Sequence, residues 1–278
     1  LFPFWRPAKP VTSTLVWVRA SRLGAGTTRR YLVLAHSRSI AEVGPGGFAS
    51  PTVGFILATM IEESASRLVL VRHGESVSNQ EQWISSQSTC GGLTNRGRAE
   101  AQAARDRLVQ LPELAPDAVV VSTMRRAIET AAIVVEPTGL QAEQRSELIE
   151  RVPGEVEGML ADDFVGRFGY RPFSIWEPAL SAGGEDASTF QTRVSTALDR
   201  LTVESVGRTT WVVCHGWVIR AAAHHFVGGE PSAEPAFTGV ANASLCVWTS
   251  PEPGATWMLE RYNDHAHVTG LGGATSFL

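Results

Sequence analysis

Two histidines in this chain each stand before a glycine and behind an apolar run. Arg72-His73-Gly74-Glu75 follows Arg67-Leu68-Val69-Leu70-Val71, and His215-Gly216 follows Thr210-Trp211-Val212-Val213-Cys214. A neutral imidazole is a competent nucleophile near pH 7, its reference pKa being about 6.5. Its other nitrogen must be held by an acceptor that fixes the tautomer, and the sequence does not identify that acceptor. The guanidinium of Arg72 offers a planar fork of donors that matches an oxyanion. Two such histidines therefore read as a nucleophile and a partner that bind one anionic group.

Short apolar runs rich in Val and Leu read as buried parallel strands, and open α/β sheets build their sites at the carboxyl ends of such strands. The rest of the pattern alternates in the same way. Thr94 caps a helix running to about Leu108, Ala118–Val121 is a second buried strand, and residues 126–135 are helical with Pro137 beyond. Asp186 caps a long helix with the stripe Phe190, Val194, Leu198 and Leu201. Thr209–Cys214 is a third strand and residues 217–227 a third helix. Residues 244–249 and 256–262 flank Pro251-Glu252-Pro253-Gly254 as a hairpin. The expected class is α/β, a three-layer α/β/α sandwich around a mostly parallel, mixed central sheet.

The chain has 278 residues, 44% hydrophobic and 19% charged, which fits a globular enzyme of one large domain plus an extension. A net charge of -4 does not favour nucleic acid as a partner. The longest apolar stretch, nine residues from Val53 to Ile61, is far short of the roughly 20 that a membrane helix needs. Cys90, Cys214 and Cys246 show no CxxC spacing and read as reduced thiols, which implies a cytoplasmic protein. Residues 1–59 hold seven basic side chains and one acid, with Pro3, Pro7, Pro10, Pro45 and Pro51 and no sustained period. That stretch is expected to be an extension outside the domain: a targeting peptide, a disordered arm, or translated sequence ahead of a true start at Met60. Residues 60–268 are then the domain and residues 269–278 a flexible tail.

The ordered motifs resemble the histidine phosphatase superfamily, the group that includes cofactor-dependent phosphoglycerate mutase. Arg72-His73-Gly74-Glu75-Ser76 with Asn79 matches RHGES-x-x-N, and Leu93-Thr94-Asn95-Arg96-Gly97 matches LT-x-x-G. Ser122-Thr123-Met124-Arg125-Arg126-Ala127 with Thr130-Ala131 matches S-x-L-x-RA-x-x-TA. Leu148-Ile149-Glu150 with Gly154, Glu157 and Gly158 follows, then Gly183-Gly184-Glu185, Val213-Cys214-His215-Gly216 and the ending Asn263-Asp264-His265-Ala266-His267. The likeness spans residues 67–268.

The resemblance implies that His73 is the nucleophile and becomes phosphohistidine, with Arg72, Arg126, His215, Gly216 and Asn79 around the phosphoryl group. It maps the acid/base position onto Glu150, which protonates the leaving oxygen and then activates water. Phosphoryl transfer asks for an in-line nucleophile and positive charge around three equatorial oxygens, and these residue types supply both. No metal-ligand cluster appears and no cofactor is implied. Arg125 competes with Arg126 for the pocket, and Glu147, Glu155 and Glu157 compete with Glu150. His224 and His225 read as packing or surface residues, and His265 and His267 as a tail motif.

Trp217 stands where the family usually has a small residue, which implies a narrower or more aromatic pocket. Phe164, Phe168, Tyr170, Phe173 and Trp176 form either a lid packed on itself or an apolar wall for the leaving group. Only 34 residues separate Glu150 from Gly184, a span with few basic side chains. Mutases of the family resemble longer chains at this point, so a phosphatase acting on a small phosphorylated molecule is expected. Mutase-type transfer and a silent phosphate-binding domain are the alternatives. A monomer or homodimer is expected, with no nucleic-acid or membrane partner.

Overall fold

The computed structural model describes residues 14–23, 29–39, 53–55, 59–63, 65–172, 179–228, 237, 239–252 and 254–271. The chain divides into two compact units, Leu1–Ser64 and Ala65–Leu278. In the first, β1 (Thr14–Leu23), β2 (Arg29–Ser39), β3 (Val53–Phe55) and β4 (Thr59–Glu63) form an antiparallel sheet. β2 is its centre: β1 pairs along one edge, while β3 and β4 take successive stretches of the other. The sequence reading finds no strand period here because the polar and apolar residues do not alternate cleanly. The strands draw instead on the β-propensity of their Val, Thr, Trp and Tyr residues. The prolines that argued against structure lie outside these strands and outside the described residues. Met60 sits within β4, so the division between units follows Ser64 rather than Thr59.

The second unit opens with β5 (Ser66–Arg72), α1 (Val77–Glu81), α2 (Asn95–Val109), β6 (Ala118–Ser122), α3 (Arg125–Val134) and β7 (Ala142–Arg145). It continues with α4 (Ala161–Phe168), α5 (Ala187–Glu204), β8 (Thr209–Cys214), α6 (Gly216–Val227), β9 (Leu245–Ser250) and β10 (Met258–Asp264). The sheet order is β10-β9-β5-β8-β6-β7. Contacts among β5, β8, β6 and β7 are parallel, and β9 runs antiparallel to both β5 and β10. This is the expected mixed, mostly parallel sheet.

Successive strand side chains go to opposite faces, and both faces are buried. Leu68, Leu70, Val212, Cys214 and Trp248 join the core under α5 and α6. Val69, Val71, Val119, Val121 and Val213 join the core under α2 and α3. The apolar runs carry no polar alternation because each neighbouring residue has its own hydrophobic layer. Thr94 caps α2 by accepting from Gly97 N at 3.0 Å, and Asp186 caps α5 by accepting from Thr189 N at 2.7 Å. β7 and α4 were not anticipated. β7 reads Ala-Glu-Gln-Arg, a half-exposed edge with no apolar pattern to give it away. Residues Ala266–Leu271 form a 3-10 turn against α2 with Val268 buried, so the tail is ordered at least that far. The remainder of the tail lies outside the described residues.

We expect a chain beginning at Ala65 to keep the melting temperature of the full-length protein, because both hydrophobic layers lie within residues 65–278. Thermal unfolding followed by circular dichroism checks this. A large fall in melting temperature, or aggregation, would show that the first unit stabilises the second.

Candidate active site

β5 and β8 are parallel neighbours, with Arg72 in register with Cys214. One more ladder bond, His73 N to Cys214 O at 3.0 Å, carries the pairing past the strand end. The two histidines thus leave adjacent strands at the same level, with ring centroids 5.2 Å apart. Both are buried.

Two glycines allow the chain to turn there. A Cβ on Gly74 would lie 2.2 Å from Gly97 O, and one on Gly97 would lie 2.0 Å from Glu75 O. The RHGE turn and the start of α2 are pressed backbone to backbone. Thr94 Oγ1 donates to Glu75 Oε1 at 2.7 Å, and Glu75 N donates to Glu100 Oε2 at 2.7 Å. Gly74 N donates to Thr130 Oγ1 at 3.1 Å. The first three motifs of the sequence are therefore one interlocked structure.

The acceptor that the sequence left open is the carbonyl of Gly74, 2.7 Å from His73 Nδ1. A carbonyl only accepts, so Nδ1 carries the proton and Nε2 carries the lone pair. Arg126 Nε donates to that Nε2 at 3.0 Å. Burial, and then the charges of Arg126 and Arg72, hold the His73 pKa well below its ordinary value. His215 is shifted the same way by burial, Arg126 and His73. His215 Nε2 lies 2.7 Å from Ser122 Oγ, and its Nδ1 has no partner among the described residues.

Arg72 donates to Val240 O. Burial lowers its pKa to about 10, against the opposing pull of the Glu150 carboxylate, so it stays charged at neutral pH. Arg126 is buried and donates from Nη1 to Ser85 Oγ at 2.9 Å, whereas Arg125 is on the surface, paired with Glu129 at 2.7 Å. Arg72, His73, Asn79, Arg126, Glu150 and Trp217 line one cavity. Asn79 closes the cap of α1, its Oδ1 accepting from Ser76 N at 3.2 Å, and its amide nitrogen takes no part in that cap. Gly216 begins α6 against Arg72. An added Cβ there would stand 3.6 Å from Arg72 Nε, so crowding alone does not require glycine.

Glu150 accepts from Arg151 N at 3.0 Å and from Trp217 N at 3.3 Å, the latter in the first turn of α6. Its rivals are otherwise engaged or exposed. Glu157 is held by Ser86 and Ser88 at 2.5 and 2.6 Å, Glu147 faces Arg200 at 3.8 Å, and Glu155 is exposed. Sequence reasoning missed what holds Glu150 in place. Arg193 on α5 makes a two-pronged ion pair with Glu185 and donates to the carbonyls of Glu147 and Ile149 at 2.8 and 3.0 Å. Glu185 in turn accepts from Val152 N at 2.9 Å, which pins the loop on both sides of Glu150. Also missed were Ser85, Asn242, whose Nδ2 donates to His73 O at 3.2 Å, and Trp83, which lines the cavity. None has a local sequence signal, and Asn242 is 169 positions from its partner.

Phe164, Phe168 and Tyr170 stack on one another under Ile84 and Leu180, so for these three the packed reading is the observed one. Phe173 and Trp176 lie outside the described residues. In the tail motif, Asn263 Oδ1 accepts from Ala241 N at 2.7 Å, and His267 Nε2 donates to Ala243 O at 2.9 Å. The ending ties down the loop that supports Arg72 and His73.

The sequence profile of the histidine phosphatase superfamily (branch 1) matches residues 68–265. The chain belongs to that superfamily. Within it, the chain is 29% identical over 212 residues to phosphoglycerate mutase-like protein 4 of Arabidopsis thaliana, covering 74% of this chain and 89% of that one. It is 28% identical over 227 residues to glucosyl-3-phosphoglycerate phosphatase of Mycobacterium tuberculosis, covering 74% and 97%. A solved mycobacterial glucosyl-3-phosphoglycerate phosphatase in complex with VO3 superposes with a TM-score of 0.62 at 27% identity, covering 72% of this chain and all of that one. A phosphatase- or mutase-type enzyme is thus the family context of this site.

Four buried or half-buried histidines give the second unit a defined pH response. His73, His215, His224 and His267 all have pKa values below the ordinary 6.5. Below about pH 6.5 the unfolded chain binds protons that the folded chain refuses, so their contribution is complete above that pH and is lost as pH falls. The urea midpoint is expected to drop between about pH 7.5 and about pH 5.5, and to drop less steeply in His215→Asn. A flat profile would contradict the buried, neutral state of these rings.

Proposed function

We propose that this chain hydrolyses a small-molecule phosphate monoester through a phosphohistidine, without a metal ion. The observation that carries the reading is His73 Nε2: deprotonated, facing the guanidinium of Arg126, and in one cavity with Arg72 and Glu150. An incoming phosphoryl group takes over the Arg126 donors and leaves the Nε2 lone pair free to attack phosphorus.

In the first step the Nε2–P bond forms and the bond from phosphorus to the ester oxygen breaks. Glu150, protonated, gives its proton to the departing oxygen. Arg72 and Arg126 meet the charge on the equatorial oxygens, and their buried setting strengthens that interaction. Ser122 Oγ accepts from Met124 N at 3.3 Å, so its own proton can go to His215 Nε2. That puts the His215 ring proton on Nδ1, where a phosphoryl oxygen would satisfy it. In the second step water attacks phosphorus, Glu150 takes its proton, and the P–N electron pair returns to Nε2. Two arginines supply the charge that a divalent ion supplies elsewhere.

Water is favoured over a second substrate as acceptor because Arg72 and Arg126 are the cations lining the cavity among the described residues. A mutase must retain an intermediate that carries more negative charge than two guanidiniums neutralise.

Turnover of 4-nitrophenyl phosphate by the purified protein is the first expectation, unaffected by chelator and lost in His73→Ala. Glu150→Gln is expected to slow an alkyl phosphate by about 100-fold, within the usual range for a general acid. It should slow 4-nitrophenyl phosphate far less, since that leaving group departs without a proton. Equal slowing of both esters would remove Glu150 from the acid role.

A further inference from the structure

We propose that Trp217 sets substrate choice: it screens two buried arginines from the cavity and commits the site to esters whose leaving group carries no anionic group of its own. This rests on the phosphatase reading above. Trp217, in the first turn of α6, is 3% exposed and lines the cavity beside His73 and Glu150. The Arg220 guanidinium lies 4.2 Å from the centre of its ring, and that of Arg151 lies at 5.6 Å. Both arginines are themselves buried, Arg151 at 1% and Arg220 at 7% exposure, and neither lines the cavity. The indole is the cavity-lining side chain on which both guanidiniums pack, and their charge is held against its π face.

Trp83, Ile84, Ala161, Pro172 and Trp217 supply the apolar and aromatic part of the remaining wall, and the uncharged side chains of Ser78, Gln82 and Ser85 complete it. Arg126 is engaged at His73 and Arg72 at Val240 O. The leaving oxygen must sit against Glu150, which is itself a carboxylate after the first step. A carboxylate or second phosphate on the leaving group would be desolvated against indole, aliphatic surface and uncharged polar groups, with no cation beyond Arg72 and Arg126 lining the cavity among the described residues. A neutral alcohol with an apolar or aromatic body buries that surface at no such cost. Residues 65–278 contain no lysine at all, so arginine is the one strong cation this unit can offer. A small side chain at position 217 would leave Arg220 and Arg151 facing the space the indole now fills.

The test is a matched pair, benzyl phosphate and 4-carboxybenzyl phosphate, assayed with the full-length protein, Trp217→Phe and Trp217→Ala. The native protein is expected to favour benzyl phosphate in kcat/KM by about tenfold or more. Trp217→Phe keeps that preference, and Trp217→Ala narrows or reverses it, with the gain appearing as a lower KM for the carboxylated ester. If Trp217→Ala does not fold, the native protein and Trp217→Phe still decide on the neutral ester. Native turnover of the carboxylated ester as fast as the neutral one would overturn the assignment. So would an unchanged preference in a folded Trp217→Ala. Failure to hydrolyse 4-nitrophenyl phosphate as well as both benzyl esters would instead remove the phosphatase reading, and this inference with it.

Discussion

The hydrogen bond from His73 Nδ1 to the carbonyl of Gly74 decides which nitrogen of the ring can react. Without it the proton could sit on either nitrogen, and Nε2 would be a poor nucleophile for much of the time. The carbonyl belongs to the residue next in sequence, so the bond depends on the local turn. That turn exists because Gly74 and Gly97 let two backbones approach more closely than any side chain permits. The strand pair β5/β8, the capped start of α2 and the Thr130 hydroxyl all converge on keeping this geometry.

The site sets a cost against a function. Two guanidiniums and two imidazoles are buried together, and burial, followed by the charges of Arg126 and Arg72, holds both histidines in their neutral forms. In the proposed reaction neutral His73 is the reactive form, and the arginines that would meet the phosphoryl group add to burial in keeping it deprotonated. Support comes from far along the chain. Ala243 adopts a left-handed φ of 56°, which costs a non-glycine residue about 1–2 kcal/mol. It is held there by its amide on His73 O at 3.1 Å and by His267 on its own carbonyl. The tail motif is thereby explained as structural bracing for the loop under His73.

Much of this was legible in the sequence because it is local. Continuous apolar runs mean strands buried on both faces, and β5, β6 and β8 follow. Thr94 and Asp186 announce helix starts through their side-chain chemistry. A histidine after such a strand is placed at the sheet's carboxyl edge, which brings His73 and His215 together once the strands are parallel neighbours. What was not legible is non-local or patternless. The Arg193–Glu185 clamp on Glu150, the support of Arg72 and His73 by Val240 and Asn242, and the packing of Arg151 on Trp217 join residues that no spacing relates. β7 has no hydrophobic face to betray it. The strands of the first unit were missed because propensity, rather than alternation, carries their signal.

The proposed reaction turns on which nitrogen attacks phosphorus, and a trapped phosphoenzyme reads it directly. Protein with 15N-labelled histidine, quenched during turnover and examined under denaturing alkaline conditions, gives the 15N–31P coupling of the modified ring. Phosphorus on Nε2 of His73 is the predicted result. Phosphorus on Nδ1, or on a residue other than His73, would contradict it.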